Sequence, residues 1–485
     1  MLLPPSLLLT LFALSTNAQT RTPLPLNQVA LFSSQTSFSV PTQTQGELAI
    51  TVALCSISSP RFFISNSTGS LFAEDPGPDG GEDNYEIFLQ DGFGNWTGLF
   101  PGGGILAVEG LPPGASFEVG VSTSGPLHDI LSDYPLFGDS TNNQAIVFSP
   151  MLAPAPPPDT PIYPNYTLPS ANSSLPSPPT SIPNVTLIVS QTTDKPLLRT
   201  SCFLNSSTIS TTGTTVNSSL WLRGLEDGWR TEWLLGGLTP QTNYTAFVVQ
   251  DTHKVSGPLY FVTKPASFQC TLVHALPFCP SIAYALPLPL PSSTSTINFP
   301  IYDSSNLPQQ LSSQVINTLT NFTISLSTFA CGRDWYSPLL GCDACQREYR
   351  KWLCTVLFPR CSEPSQSNPQ FITPNPGQVG TVNAGPSSNQ AVLSALLPMP
   401  SQPTSNNDSN SPYITGYTRL LPCIEVCNAV DRACPPFLGF QCPTRKFNGA
   451  ATYGFGYIDG ADGQEAGGLV KSAQDRWGNV WCNGG

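Results

Sequence analysis

The sequence predicts a multidomain protein in which two tandem all-β sandwich-like units are followed by a disulfide-rich domain. In two separate stretches, apolar residues alternate with polar ones, the period that is typical of half-buried strands. The cysteines are concentrated in the last part of the chain. Of the 14 cysteines, all but Cys55 and Cys202 fall between Cys270 and Cys482.

The two β-units share the order of their strand patterns. In residues 25–149 the pattern "LAITVAL" is followed later by "SFEVGV", and in residues 184–266 "VTLIVS" is followed by "NYTAFVV". A Gly-Leu-x-Pro turn precedes the second pattern of each unit, as expected for a turn that leads into a strand. The shared order indicates an internal duplication, and the closing pattern resembles that of fibronectin-type sandwich domains.

Two stretches differ in composition from the regions around them. Residues 150–183 are rich in proline and are predicted to be an extended, glycan-decorated spacer that separates modules without packing against them. The cysteine-rich region, residues 267–485, contains a Ser/Pro/Asn-rich insertion at residues 362–412. Because this insertion has little periodicity, we expect it to be exposed and mobile.

The charge balance argues against nucleic acid as a partner. The 485 residues include 31 acidic and 19 basic side chains, which gives a net charge of −12. Such a chain is repelled by phosphate backbones. Charged residues make up only 10% of the chain, and there are 51 prolines, a composition that favours β-domains with extended linkers over helical bundles.

The sequence predicts export from the cytoplasm. Residues 1–18 have the features of a signal peptide, because an apolar run ends in the small residues Thr16-Asn17-Ala18. The alternative is a retained membrane anchor, which the short run and its prolines disfavour. We therefore expect the protein in the secretory pathway, including the endoplasmic reticulum, and at the extracellular face of the plasma membrane. Ten glycosylation sequons agree with export, at Asn66, Asn95, Asn165, Asn172, Asn184, Asn205, Asn217, Asn243, Asn321 and Asn407.

An even number of cysteines in an exported chain predicts disulfides, because that compartment is oxidising. The spacing Cys342-Asp343-Ala344-Cys345 also allows a redox pair or half of a zinc site. The chain has only three histidines, however, and the oxidising context favours disulfides. No metal or cofactor site is predicted.

Three ordered blocks of sequence resemble the Frizzled-type cysteine-rich domain: "CTLVHALPFCPSIAYALPLP", "CQREYRKWLCTVLFPRC" and "LPCIEVCNAVDRAC". With β-rich modules in front and a long insertion, the whole chain is similar to the fungal stretch-activated calcium-channel regulatory subunit, the mating-pheromone-induced death protein family. It is also similar to the animal sodium-leak-channel folding factors. The likeness implies a mainly α Frizzled-like domain and the pairs Cys270–Cys361, Cys279–Cys354, Cys345–Cys434, Cys423–Cys482 and Cys427–Cys442. Four cysteines remain, and we expect them to form the pairs Cys331–Cys342 and Cys55–Cys202. Spacing alone leaves the last pair open.

The block "YRKWLCTVLFPRC" is predicted to be a helix that ends before Pro359. On a helix of 3.6 residues per turn, one face is core and the other is basic. The core face carries Cys345, Tyr349, Trp352 and Val356. The basic face carries Arg347, Arg350 and Lys351, with Cys354 among them, and we expect the segment that bears Cys279 to cover Cys354.

The basic residues of this block allow two interpretations. They form either a solvated helix face with local pairs to Glu348 or a docking patch for acidic extracellular loops of a partner. The docking hypothesis assigns partner binding to Arg347, Arg350, Lys351 and Arg360.

Other candidate chemistry is sparse. The acidic loop at residues 74–91 offers Glu74, Asp75, Asp79, Glu82 and Asp83, but their spacing matches no helix-loop-helix calcium pattern, and a solvated loop is favoured. An enzyme is not predicted, because His128, His253 and His274 are scattered and the usual catalytic motifs are absent from the sequence.

The resemblance implies an auxiliary role at a channel. The expected function is that of an extracellular regulatory subunit that supports channel folding, trafficking and calcium influx under pheromone or stress. The expected partner is a large pore-forming voltage-gated-type calcium channel subunit, which would also hold the chain at the membrane. The alternatives are a secreted or surface lipid-binding Frizzled-like module and a structural cell-wall glycoprotein.

Overall fold

The computed structural model describes the greater part of the chain in a series of ranges. The described residues are 21–66, 84–172, 175–192, 197–206, 212–291, 299–362, 396–398, 411–414, 417–444, 446–454, 480 and 482–485. The chain divides into two compact units, Met1–His128 and Asp129–Gly485. Both are rich in β-structure, in agreement with the predicted multidomain β-rich fold.

The first unit contains two β-sheets. Its strands are β1 (Thr22–Pro23), β2 (Gln28–Phe32), β3 (Ser37–Val40), β4 (Gln43–Leu54), β5 (Arg61–Ser65), β6 (Asn84–Ile87), β7 (Phe93–Phe100), β8 (Gly104–Glu109) and β9 (Phe117–Ser122). One sheet has the order β1-β3-β8-β5-β6 and the other β2-β9-β4-β7. Only the β1–β3 pair is parallel among these described strands.

A cluster of phenylalanines fills the core of the first unit. The ring of Phe117 lies 5.1 Å from that of Phe62 and 6.0 Å from that of Phe38, both in edge-to-face geometry. The three side chains are fully buried. Because they come from β9 of one sheet and from β5 and β3 of the other, they join the two sheets.

The second unit begins with two four-stranded sheets. Their orders are β10-β17-β16-β13 and β11-β12-β15-β14. The strands are β10 (Asp129–Ile130), β11 (Leu136–Ser140), β12 (Gln144–Phe148), β13 (Val185–Gln191), β14 (Thr214–Leu222), β15 (Trp229–Gly236), β16 (Asn243–Gln250) and β17 (Lys254–Val262), with a short helix α1 (Ser201–Leu204).

Corresponding strands of the two units pair in the same way, as an internal duplication requires. "LAITVAL" lies in β4 and pairs antiparallel with β9, which contains most of "SFEVGV". In the second unit "VTLIVS" lies in β13 and pairs antiparallel with β16, which contains "NYTAFVV". Likewise, β3 pairs antiparallel with β8, and β12 with β15.

The boundary between the units lies earlier than the sequence indicates. Residues 129–148 were expected in the first unit, but β10, β11 and β12 pair with strands of the second unit. The proline-rich residues 150–183 therefore interrupt the second sandwich and do not precede it. The composition of this stretch predicted a domain boundary there. The actual boundary is set by hydrogen bonds between strands that are distant in sequence.

The cysteine-rich region contains most of the helical structure. Its helices are α2 (Gln309–Leu326), α3 (Cys342–Leu357), α4 (Ile424–Ala433) and α5 (Gly449–Thr452), with a 3-10 turn at Pro436–Leu438. Its strands are β18 (Thr271–Val273), β19 (Tyr284–Leu286), β20 (Cys361–Ser362), β21 (Leu396–Pro398) and β22 (Thr418–Leu420). The backbone of β21 pairs with β22, and residues 363–395 and 399–410 of the predicted insertion lie outside the described residues.

The second sandwich and the cysteine-rich region share one apolar core. Ile146 and Phe148 of β12 and Leu234 of β15 pack with Leu272, Ala283 and Ala285 and with the Cys270–Cys361 disulfide. Gly138 of β11 lies so close to β19 that an added Cβ would sit 2.6 Å from the carbonyl oxygen of Ala283. The second sandwich is thus part of the same folded body as the helices.

In the part of the chain that the structure describes, none of the helices has the length and apolarity to span a membrane. The predicted signal peptide, residues 1–18, lies outside those residues.

The position of the unit boundary can be tested with N-terminally truncated chains that are fused to a signal peptide. A chain of residues 129–485 should be secreted, because both sheets of the second sandwich are complete. A chain of residues 150–485 lacks β12 and leaves an edge of β15 unpaired, so its secretion should fall by roughly tenfold or more. Immunoblotting of culture medium measures both. Equal secretion of the two chains would contradict the boundary.

Candidate functional site

Helix α3 is the element at which the cysteine-rich region is cross-linked. Three of its residues and Cys361, just beyond its end, each form a disulfide with a different segment of the chain. The disulfides in this region are Cys270–Cys361, Cys279–Cys354, Cys331–Cys342, Cys345–Cys434, Cys423–Cys482 and Cys427–Cys442. Five of them are the pairs that the resemblance implies, and Cys331–Cys342 is the local pair expected from the remaining cysteines. Pairing of Cys55 with Cys202 stays a prediction.

The Cys342–Cys345 spacing does not form a redox pair or a thiolate metal site. Cys342 is bonded to Cys331 and Cys345 to Cys434, so neither sulfur is available as a thiolate. Elsewhere in the described region, the side chain of Glu425 lies near Cys423 and Cys482, but these two sulfurs are bonded to each other.

Other segments contact both faces of α3. On the predicted core face, the Tyr349 ring stacks on Phe322 of α2 at a centroid distance of 3.5 Å, and the indole N–H of Trp352 donates to the Tyr453 hydroxyl at 2.9 Å. Val356 departs from the prediction, since it is 39% exposed. The opposite face is covered where Cys354 is bonded to Cys279, as expected.

The proline-rich segment packs along α3, which corrects the expectation of a free spacer. The side chain of Gln346 donates to the Pro169 carbonyl at 2.8 Å, and Arg350 donates to the Ser170 carbonyl at 3.3 Å. Ala171 is buried in the core that α2 and α3 share. We call residues 168–172 the strap. Its backbone carbonyls are satisfied by α3 side chains, which a composition-based prediction does not reveal.

The structure separates the four predicted partner-binding residues. Lys351 is exposed, and Arg347 is partly exposed beside Asp343 at 4.0 Å and Glu348 at 3.3 Å. Arg350 faces the strap, and burial lowers the pKa of its guanidinium. Arg360 is buried and therefore does not belong to a surface patch.

Arg360 instead forms a buried ion pair with Asp139. Its Nε lies 2.9 Å from a carboxylate oxygen of Asp139 on β11, and its Nη2 donates to the Gly138 carbonyl at 2.7 Å. Lys264 lies 3.9 Å from the other Asp139 oxygen. The guanidinium also lies over the ring of Tyr284, at 5.3 Å from the centroid. This cluster joins the second sandwich to the cysteine-rich region.

A second group of buried polar side chains lies at the same contact between the second sandwich and the cysteine-rich region, which we call the seam. His274, which follows β18, contacts the carboxylate of Glu232 on β15, and both side chains are buried. Nearby, Arg223 donates to the carbonyls of Ser281 at 3.4 Å and Gly485 at 3.3 Å and lies over the ring of Phe148. Burial lowers the pKa of Arg223. The seam is therefore held by charge as well as by apolar packing.

Sequence reasoning missed the charged side chains of the sandwich that form this seam. Asp139 and Glu232 stand inside apolar strands, "LFGDS" and "WRTEWLLG". A charged side chain at such a position needs a buried partner. The sequence therefore contained a sign that these two residues form buried polar contacts. The sequence did not indicate which residue the partner is, because Asp139 and Arg360 are distant in sequence.

The described sequons lie at the surface. Asn66, Asn95, Asn165, Asn172, Asn184, Asn205, Asn217 and Asn321 are exposed, and Asn243 is partly exposed. Asn407 lies outside the described residues. The carboxylates of the predicted acidic loop, Glu74, Asp75, Asp79, Glu82 and Asp83, also lie outside the described residues. Use of the sequons and calcium binding by the loop stay predictions.

A family model described as "Mid1: Stretch-activated Ca2+-permeable channel component" matches residues 51–467. The chain belongs to the Mid1 family. The match includes most of the first unit, the second sandwich, the strap and the cross-linked helices. The resemblance seen in the sequence is therefore confirmed at the level of the family.

Named relatives agree with this family. The chain is 34% identical to "Stretch-activated cation channel MID1" of Cryptococcus neoformans, over 95% of this chain and 82% of the relative. It is 28% identical to "Stretch-activated cation channel yam8" of Schizosaccharomyces pombe, over 52% of this chain and 46% of that protein. It is 26% identical to the MID1 protein of Saccharomyces cerevisiae, over 43% of this chain and 34% of that protein.

The buried ion pair of this Mid1-family chain makes a stability prediction. Arg360→Met leaves the Asp139 carboxylate buried without its main partner, so the free energy of unfolding should fall by about 3 to 5 kcal/mol. Arg347→Met is the matched control on the surface, with an expected change within about 1 kcal/mol. Denaturant unfolding of the secreted proteins measures both, and equal stabilities would contradict the assignment.

Packing of the strap is tested by two neighbouring substitutions. Ala171→Asp places a carboxylate in the core between α2 and α3 and should destabilise the protein by at least about 2 kcal/mol. Ser170→Asp makes the same change at an exposed position and should alter stability by less than about 0.5 kcal/mol. Thermal unfolding compares the variants. A strap that only spans the surface would give equal values.

Proposed function

We propose that this chain is an extracellular auxiliary subunit of a plasma-membrane calcium channel. On this proposal it supports folding and trafficking of the channel and calcium influx under pheromone or stress. Membership of a family of stretch-activated Ca2+-permeable channel components carries the proposal. Exposed sequons and an extensive disulfide set support an extracellular position, because both features belong to exported proteins.

The proposed working part is a Frizzled-like cysteine-rich domain centred on α3. Its disulfides, the shared core of α2 and α3 and the strap support a rigid body that keeps its shape when it binds. A rigid surface loses little conformational freedom on binding. A ligand that binds only the assembled channel stabilises that state by mass action, which is how such a body would assist folding.

The proposed partner is a large pore-forming subunit of the voltage-gated type. Within the predicted docking patch, Lys351 is the residue that the structure leaves most exposed, with Arg347 partly exposed beside it. Arg350 donates to the strap and Arg360 is buried, so neither belongs to the exposed part of the patch. The chain itself is acidic, so a local basic surface favours acidic loops on the partner.

The alternative functions find less support. A lipid carrier needs an open apolar groove, and the chain's own Leu168 and Ala171 pack on the helices that would form one. A structural wall glycoprotein needs no cross-linked helical body with a buried ionic seam. We propose a binding function without catalysis, in which the side chains of α3 and its neighbours provide contacts and no reacting groups.

The proposal is tested by co-expressing the chain with a pore-forming calcium channel subunit and purifying it after gentle solubilisation. The channel should co-purify, and calcium influx should depend on the chain. Lys351→Glu should reduce channel recovery several-fold while secretion continues. Lys446→Glu, the same charge change at another exposed lysine, is the matched control and should bind normally.

Two outcomes separate the parts of this proposal. Normal channel recovery with Lys351→Glu would exclude the basic docking patch but leave the auxiliary role. Recovery of no channel with the wild-type chain, together with influx that does not depend on it, would overturn the auxiliary role itself.

A further inference from the structure

Large apolar side chains are exposed on the loop closed by the Cys331–Cys342 disulfide. Trp335 is 81% exposed and Leu339 is 87% exposed. Both belong to the short segment "GRDWYSPLLG", so the cross-link holds them on one short loop. Exposure of such large apolar side chains to water is unfavourable, and burial against another surface would stabilise them.

The segment just before the strap adds two more exposed apolar residues beside this loop. The backbone N–H of Tyr163 donates to the carbonyl of Gly332 at 3.2 Å, and Ile162 precedes it. Gly332 has a φ of +85°, and an added Cβ would lie 2.5 Å from the Pro161 carbonyl oxygen. The two segments therefore meet at a position that only glycine fits.

A third segment contacts the loop. Phe437, in the turn after α4, is 55% exposed, and its ring stacks on Phe329 at 5.8 Å. Phe329 also contacts Tyr336 of the loop at 5.3 Å, and the Tyr336 hydroxyl donates to the Ala433 carbonyl. These contacts of Tyr336 hold the loop in place. We call Ile162, Tyr163, Trp335, Leu339 and Phe437 the apolar loop surface.

The charges on this loop cancel. Arg333 and Asp334 are its two charged residues, and they form a two-point ion pair with N–O distances of 2.9 and 2.6 Å. The loop therefore presents no net charge, although the whole chain carries −12. An electrically neutral surface on an acidic protein complements a zwitterionic partner and has no attraction for an anionic one.

We propose that the apolar loop surface contacts a zwitterionic lipid membrane at the level of its headgroups. Trp and Tyr beside aliphatic residues are the side chains that partition into this interfacial region, because their rings are apolar and their N–H and O–H groups stay hydrated. Exposed apolar side chains enter headgroups without a complementary pocket, whereas a protein partner would have to supply one.

This contact goes beyond the auxiliary role proposed above. It is contact with a bilayer surface, not binding of a lipid molecule in a groove, and it uses residues other than Lys351 and Arg347. It would give a chain in a family of stretch-activated channel components a direct contact with the bilayer next to the channel.

Vesicle binding of the purified, glycosylated full chain tests the proposal. The chain should co-sediment with phosphatidylcholine vesicles, and adding phosphatidylserine should not increase binding. Trp335→Ser with Leu339→Ser should lower the partition coefficient at least about tenfold, since both apolar contacts are removed. Leu290→Ser with Phe447→Ser is the matched control, because it removes one aliphatic and one aromatic exposed side chain outside the surface. The control should bind like the wild type.

A second measurement does not depend on a polar substitution. Brominated phosphatidylcholine should quench tryptophan fluorescence of the wild type, and Trp335→Phe, which keeps an aromatic side chain, should lose that quenching. Failure of the wild type to bind vesicles would overturn the proposal. So would loss of channel co-purification in the Trp335→Ser, Leu339→Ser variant with unchanged vesicle binding, because the surface would then be a protein-docking site.

Discussion

The covalent anchoring of α3 is the constraint on which the rest of the second unit depends. Cys342, Cys345 and Cys354 lie within one helix, and each is bonded to a separate segment. The bonds at Cys345 and Cys354 close loops with sequence separations of 89 and 75 residues. In the chain-entropy model a loop of this length stabilises the native state by roughly 4 kcal/mol. The helix can then hold the strap on one side and α4 on the other.

The seam between the second sandwich and the cysteine-rich region has a different character. Apolar packing around Phe148 excludes water, and this makes the Asp139–Arg360 pair both strongly coupled and costly to break. Such a seam fixes one relative arrangement of sheet and helices. The second sandwich is therefore part of the body that would present α3 to a partner, and Asp139 of β11 contacts Arg360 just beyond the end of that helix.

The surface of this body separates into regions of different chemistry. Lys351 lies on α3, where its charge is exposed to solvent, while the loop bearing Trp335 is neutral and apolar. The exposed sequon asparagines Asn172 and Asn321 lie on further parts of the surface. One folded body thus offers a charged, an apolar and a sequon-bearing region for separate contacts.

The sequence by itself determined the family, the concentration of cysteines and the strand patterns of both sandwiches, because these properties are local in the chain. It also predicted that Cys354, among basic residues, would be covered by the segment bearing Cys279. Only the tertiary structure decided that Arg360 is buried, that residues 168–172 form a strap and that β12 belongs to the second sandwich. Each of these depends on contacts between residues far apart in sequence, such as Asp139 with Arg360 and Pro169 with Gln346. Composition and periodicity report local preference, and they contain no information about which distant segment satisfies a charge or a carbonyl.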